Sequence, residues 1–267
     1  KLGGLTLKLP DLFTGFDAAP GDVKGALAKS LEEAGCGYLG REPLGAASWF
    51  QLLASGDKPS NAAAALCYVL GKKFREPELP KRKKGQPVGL SVAAPALKKA
   101  IPFALERELD FLVLDATAGI EKPWVELGGA PDLSVLRDAI KILRGMNREE
   151  DIALVYFGGL RSGTDVAKVV AMNANAGVFG VAMGLALGAS IEQGTLAFGS
   201  GRPAEELKRA AGNWIKGTVQ ETAIIARCTG KTNVHNLEPE DMRTITLATQ
   251  QALGIPLASG GGAREYF

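Results

Sequence analysis

One stretch of the chain holds residues whose types and spacing could grip an anion: Gly158, Gly159 and Gly163, followed by Gly180 and Gly184. Backbone N–H groups do the gripping in such a site. Glycine has no Cβ, so a glycine loop turns tightly and lets a ligand approach the main chain. Where the loop runs into a helix, the N–H groups of the first turn lack intrahelical partners and favour a phosphate. The same glycines would also serve if they only make tight turns between strand and helix.

Positioning these residues takes two strands and a helix. Residues 153–157 (ALVYF) form a short, mostly apolar run bounded by glycines, the pattern of a strand buried on both faces in a parallel sheet. Thr164 or Asp165 then opens a helix that places Val166, Val169 and Val170 on one face. Residues 177–183 read as a second apolar strand. Glycine loops after two late, consecutive strands are the usual phosphate site of a β/α barrel.

Other chemistry-bearing residues are sparse. Cys36, Cys67 and Cys228 have no CxxC spacing and an odd count, so they match neither a disulfide framework nor a metal site. The single histidine, His235, has no companion ligands in register and reads, like the cysteines, as structural. Asp115 ends an apolar run and is the charged candidate for a barrel acting on a sugar phosphate or nucleotide; an aspartate there also makes turns. Lys81, Arg82, Lys83 and Lys84 lie between Pro77/Pro80 and Gly85, as a solvated linker or a docking surface for an acidic partner. A net charge of +2 gives no reason to expect nucleic acid.

The chain has 267 residues and 34 glycines, with a mean hydropathy of +0.06. A barrel typically takes about 250 residues, so one domain over residues 1–267 is expected. With no apolar run long enough to span a bilayer and no signal-peptide pattern, a cytoplasmic protein is expected. Alternation of strands and helices runs along the chain. Strands are expected at 9–13, 37–40, 88–93 and 111–115, and helices at 22–34, 96–108 and 132–143. Residues 45–53 and 61–74 read as helical, and 75–86 as a proline- and lysine-rich linker. Residues 203–229 read as a long helix with Pro203 near its first turn, and 238–253 as a final one, giving a helical C-terminal segment over about 203–259. The fold class is α/β, a (β/α)8 TIM-barrel-type parallel sheet. Six strands are evident, so either short strands hide between residues 40 and 80 or the barrel is incomplete.

The segment FGGLRSGTDVAKVVAMNANAGVFGVAMGLALG resembles the flavin phosphate segment of the FMN-binding synthase domain of glutamate synthases. The stretch ARCTGKTNVHNLEPEDMRTITLATQQALGIPLAS, residues 226–259, is similar to that family's terminal segment and is the more distinctive match. In weaker form the similarity extends to the whole chain: residues 20–37 resemble the helix after the first strand and residues 87–119 the central βαβ stretch. The resemblance implies a barrel carrying FMN at its strand C-terminal ends, its phosphate on the backbone of Gly158, Gly159, Gly163, Gly180 and Gly184, with Arg161 beside them either adding charge or facing solvent, and Met183 next to Gly184. In that family reduced flavin delivers hydride to 2-iminoglutarate, giving glutamate, and a related branch uses methylamine. Electrons come through an iron–sulfur cluster and partner subunits.

The chain departs from the family pattern at several points. Where the family carries V-K-L near the flavin, this chain reads GLSVAA, with Ser91 at or near the lysine position; a hydroxyl cannot supply that positive charge. The family's G-G-T-G loop appears as DATAGIEK, residues 115–122, with Lys122 as an alternative cation. FTGFDAAPGD replaces the M-S-F-G-A-L-S loop. The three-cysteine motif is missing, since residues 189–201 contain no cysteine, so this chain ligates no iron–sulfur cluster in the family's way. Two readings lead: an FMN-binding oxidoreductase subunit working with protein partners, or a catalytically degenerate barrel serving as a structural or regulatory subunit.

Overall fold

The computed structural model describes Leu5, residues 8–79 and residues 83–260. Pro80, Lys81 and Arg82 of the basic linker, together with Lys1 and Phe267, lie outside the described residues.

Eight strands close into a parallel barrel in sequence order: β1 (Asp11–Thr14), β2 (Gly37–Gly40), β3 (Ser48–Leu53), β4 (Ala65–Gly71), β5 (Val88–Val92), β6 (Phe111–Asp115), β7 (Ala153–Phe157) and β8 (Ala176–Phe179). β8 pairs back to β1 through Val178 opposite Leu12. The barrel is therefore complete. Alternate strand residues point to opposite faces, so Leu12, Leu39, Phe50, Phe111, Val155 and Val178 fill the inside, while Leu53, Leu90, Leu112 and Leu154 pack outward. Phe111 finds room inside because its neighbour is Gly89, where a Cβ would lie 2.5 Å from the ring.

Helices cover one side of the barrel. α1 (Gly21–Ala34) follows β1, α2 (Leu97–Glu106) follows β5, α3 (Ser134–Gly145) follows β6, and α4 (Gly163–Ala171) follows β7. After β8 come α5 (Val181–Ala186), an antiparallel hairpin of β9 (Ala189–Glu192) and β10 (Thr195–Phe198), then α6 (Ala204–Cys228) and α7 (Leu247–Leu253). α6 lies across α1 and α4, and Ser30 Oγ donates to its Lys208 carbonyl at 3.1 Å.

Three expectations are corrected. Residues 45–53 and 61–74, read as helical, supply β3 and β4, and the connections at 41–47, 54–64 and 72–87 carry no helix among the described residues. Loop residues Leu44 and Phe74 pack against the outer core instead. β3 and most of β4 are thereby buried on both faces, which erases the polar alternation that marks a strand. The strand expected at 177–183 ends at Phe179, and Met183 belongs to α5. The final helix expected at 238–253 is a 3-10 turn at Pro239–Asp241 and the two-turn α7.

Candidate functional site

The glycine loops after β7 and β8 lie side by side at the strand C-terminal ends because those strands pair in register, Phe157 opposite Val178. Gly159 turns through a left-handed φ of 67°, a conformation glycine adopts without steric cost. Its N–H and that of Val181 converge on one anion. That anion is the side chain of Glu126: Gly159 N donates to Oε1 at 3.0 Å, and Val181 N donates to Oε2 at 2.8 Å. Gly180 is bare where the carboxylate sits, since a Cβ there would lie 2.2 Å from Oε2. Burial raises the Glu126 carboxyl above the usual range, as does the nearby charge of Asp115, while the two N–H donors pull it down.

Glu126 sits on the long connection from β6 to α3, whose ends are pinned together. Ala116 N donates to Phe157 O at 2.8 Å, and Asp132 N donates to Ala116 O at 2.8 Å. Between these points the chain folds over the mouth of the barrel. Ile120 is buried and Val125 half-buried against the inner cluster. Trp124, held at a left-handed φ of 53°, packs edge-on against Phe16 and tilted against Phe198. Lys122 is exposed.

The other acids near the mouth are engaged in building loops. Asp115 is 1% exposed and accepts from Thr117 N, Thr117 Oγ1, Ala118 N and Ile120 N, so it anchors its own turn. Asp17 accepts from the Tyr38 hydroxyl and from Arg41 N, tying the β1 loop to β2. Glu221 of α6 accepts from Gly163 N at 2.8 Å and from the Thr164 hydroxyl, capping α4. Gly163 is thus a close-approach position: a Cβ would lie 2.1 Å from the Thr218 carbonyl of α6. At Gly184 a Cβ would lie 2.2 Å from Leu196 of the hairpin, and Gly158 faces Ala116 and Pro131. Met183 is fully buried in the outer core. The Arg161 side chain is 81% exposed and pairs with Asp165 four residues on. The structure thus gathers Gly158, Gly159, Gly180 and Gly184 around the mouth, with Arg161 outside and the Gly163 N–H turned to α6.

Three buried hydroxyls, those of Tyr68, Ser91 and Tyr156, have no hydrogen-bond partner among the described residues. Ser91 Oγ lies inside the barrel between Val69 and Val113, fully buried. Tyr156 Oη would lie 3.0 Å from a Cβ on Gly158, directly beside the glycine loop. Burial pushes the Tyr156 hydroxyl up, as do the charges of Asp132, Asp165, Glu126 and Asp115, so it stays a donor.

The distinctive C-terminal motif works at the opposite end. Lys231 Nζ pairs with Glu238 at 3.0 Å, Asp241 caps Glu238 N, and His235 Nε2 lies 3.1 Å from the Asn175 carbonyl just before β8. His235, Asn173 and Arg148 border an open cavity of about 1080 Å³ at that end. Cys36 and Cys67 are buried and Cys228 is exposed, all as free thiols; burial pushes Cys36 up to about 12. Among the described residues no helix is long and apolar enough to cross a membrane.

Sequence reasoning located the glycine loops and missed Glu126. It lies 33 residues before Gly159 and 55 before Val181, with no motif joining them. The available signal was length: a connection from 116 to 133 without regular strand or α-helix exceeds the ordinary loop and is of the kind that is usually functional.

Residues 78–194 match the conserved region in glutamate synthase. A glutamate synthase large subunit-like protein of Rhizobium meliloti (strain 1021) is 34% identical over 189 residues, 58% of this chain and 43% of that protein. The matched stretch is less than half of that relative's length. Among solved structures, a doubly substituted flavocytochrome b2 with pyruvate bound is similar with a TM-score of 0.63 at 14% identity, covering 99% of this chain and 77% of that one. The flavin-binding domain of baker's yeast flavocytochrome b2 gives 0.58 at 15%, covering 98% and 76%. Mandelate oxidase with benzoyl-formic acid gives 0.57 at 13%, covering 85% and 76%. At these identities the likeness is one of fold.

Proposed function

We propose that the chain is a divergent member of the glutamate synthase family, a flavin oxidoreductase subunit built to hold the phosphate of FMN on the loops after β7 and β8. One observation carries this reading: backbone N–H groups from two adjacent barrel loops converge on a single carboxylate, so the loops already form a working anion cradle. The cradle fits a phosphate. Gly159 and Val181 would donate to its oxygens, Gly180 would leave room for it, Gly158 would let the loop pack against Ala116 and Pro131, and the unpartnered Tyr156 hydroxyl beside the loop supplies a further donor. The space over the barrel is filled by Ile120, Trp124 and Val125, which lie on one connection, so the rest of the cofactor needs that connection displaced.

FMN, when bound, supplies hydride transfer; this chain's residues bind and orient it. Gly184 lets the hairpin pack behind the cradle, and Glu221 holds α4 in place beneath it. Met183 supports α5 from the core, and Arg161 lies at the rim. The reading extends to a cytoplasmic, single-domain subunit that works within a multi-subunit redox complex and receives its electrons from a partner.

A second reading, a catalytically degenerate barrel with a structural or regulatory role, is favoured by Ser91 and Asp115. The first is a fully buried hydroxyl where the resembled family carries a lysine, and the second spends its carboxylate on its own turn. A visible absorbance spectrum tests the main reading. Protein incubated with excess FMN and desalted should keep the bands of an oxidised flavin. Protein that stays colourless after that treatment, both as wild type and as Glu126→Ala, overturns flavin binding and leaves the second reading.

A further inference from the structure

We propose that Glu126 is an internal anion that occupies the phosphate cradle, making the connection from β6 to α3 an autoinhibitory plug that an incoming phosphate group must displace. The inference rests on reading the mouth as a phosphate site, and it adds what controls entry to it.

Three independent features fit a plug. The Glu126 carboxylate spreads its two oxygens over N–H groups from two different loops, at 3.0 and 2.8 Å, as a bound oxyanion would. The same connection fills the rest of the mouth: Ile120 and Val125 over the inner cluster, Trp124 against Phe16 and Phe198. Its ends meet at Ala116 and Asp132, and Asp115 holds the turn up to Ile120, so the part beyond Ile120 that carries Trp124, Val125 and Glu126 can move without disturbing β6 or α3. Trp124 at a left-handed φ adds a reason for it to leave, because a bulky residue there is strained.

Competition follows from this geometry. A phosphate and the Glu126 carboxylate need the same two N–H groups, and two anions cannot share them. The apparent affinity for a phosphate ligand is therefore reduced by the fraction of molecules in which the plug is open. The cradle glycines alone do not set the affinity; Glu126 does.

The test compares wild-type protein with Glu126→Ala and Glu126→Gln. Glutamine keeps the volume of the side chain and cannot accept from both N–H groups as an anion, so it guards against a variant that merely misfolds. Inorganic phosphate and FMN are titrated separately, read by thermal unfolding midpoint and by flavin fluorescence. Both variants should bind phosphate and FMN at least about tenfold more tightly than wild type. Phosphate should raise their midpoints at concentrations that leave the wild type unchanged. Equal affinities across the three proteins would overturn the plug while leaving flavin binding intact. Variants that gain phosphate binding without FMN binding would support the plug and overturn the flavin reading. No response to either ligand in any protein would overturn both.

Discussion

Replacing Gly163 by alanine tests how α4 is held beneath the cradle, and the structure sets the size of the effect. A Cβ at this position would lie 2.1 Å from the Thr218 carbonyl oxygen, 2.7 Å from Thr222 N and 2.7 Å from Thr222 Oγ1. Close C···O contacts begin at about 3.3 Å, so α6 and α4 must separate by roughly 1 Å. Two of the three close atoms are backbone, so a rotamer change cannot relieve the clash. The separation also stretches the clasp that joins the helices: Gly163 N to Glu221 at 2.8 Å and Thr222 Oγ1 to Gly163 O at 3.0 Å. Overpacking costs about 1–3 kcal/mol, and weakening one charged and one neutral hydrogen bond adds about 1–2 kcal/mol. Gly163→Ala should therefore destabilise the protein by about 2–5 kcal/mol, lowering the thermal midpoint by roughly 4–20 °C for a domain of this size. Gly217→Ala is the control. It lies on α6, the helix that Gly163 abuts, with nothing within 4 Å of its Cβ, and should gain up to about 1 kcal/mol from helix propensity. Denaturant unfolding of both variants decides the matter. A Gly163→Ala protein within about 0.5 kcal/mol of wild type would refute the packing argument.

Three further outcomes follow from named contacts. Asp115→Ala leaves Thr117, Ala118 and Ile120 N–H groups without their acceptor and should cost about 3 kcal/mol in unfolding experiments; unchanged stability would reopen a role for this carboxylate beyond turn formation. Glu221→Ala removes the α4 cap and the Thr164 contact, with an expected loss of about 1–2 kcal/mol by the same measurement. Asp11 is 2% exposed, and burial raises its carboxyl to about 7, so the fold favours the protonated form. That contribution is intact below the ordinary value of 3.8 and is lost as pH rises through about 7. Asp11→Asn should accordingly match wild type near pH 4 and exceed it by about 2–4 kcal/mol near pH 8, and a difference that does not change with pH would contradict this.

How much of this was legible in the sequence depended on where each signal lay. β6, β7, α1 and α3 announced themselves through apolar runs of the right length or through helical spacing, because local pattern and tertiary burial agree there. β3 and β4 did not: SWFQLL and ALCYVLG are mostly apolar without alternation, and a run buried on both faces looks the same in a strand as in a core helix. The glycine loops were visible, yet the two uses of glycine were not separable. Gly159 is needed for its positive φ, Gly180 for contact with a carboxylate, and Gly163 for the approach of a helix about sixty residues further along. The residue that occupies the cradle was beyond reach, because nothing local to Glu126 records the loops it meets.

The central claim is that the N–H groups of Gly159 and Val181 form a phosphate cradle that Glu126 keeps closed. Comparing FMN with riboflavin, which lacks the phosphate, on the Glu126→Ala protein tests it most directly. Two charge-assisted hydrogen bonds are worth about 1.5–3 kcal/mol each, so FMN should bind about a hundredfold or more tightly than riboflavin. Equal affinity for the two flavins would show that the phosphate is not held there and would contradict the account.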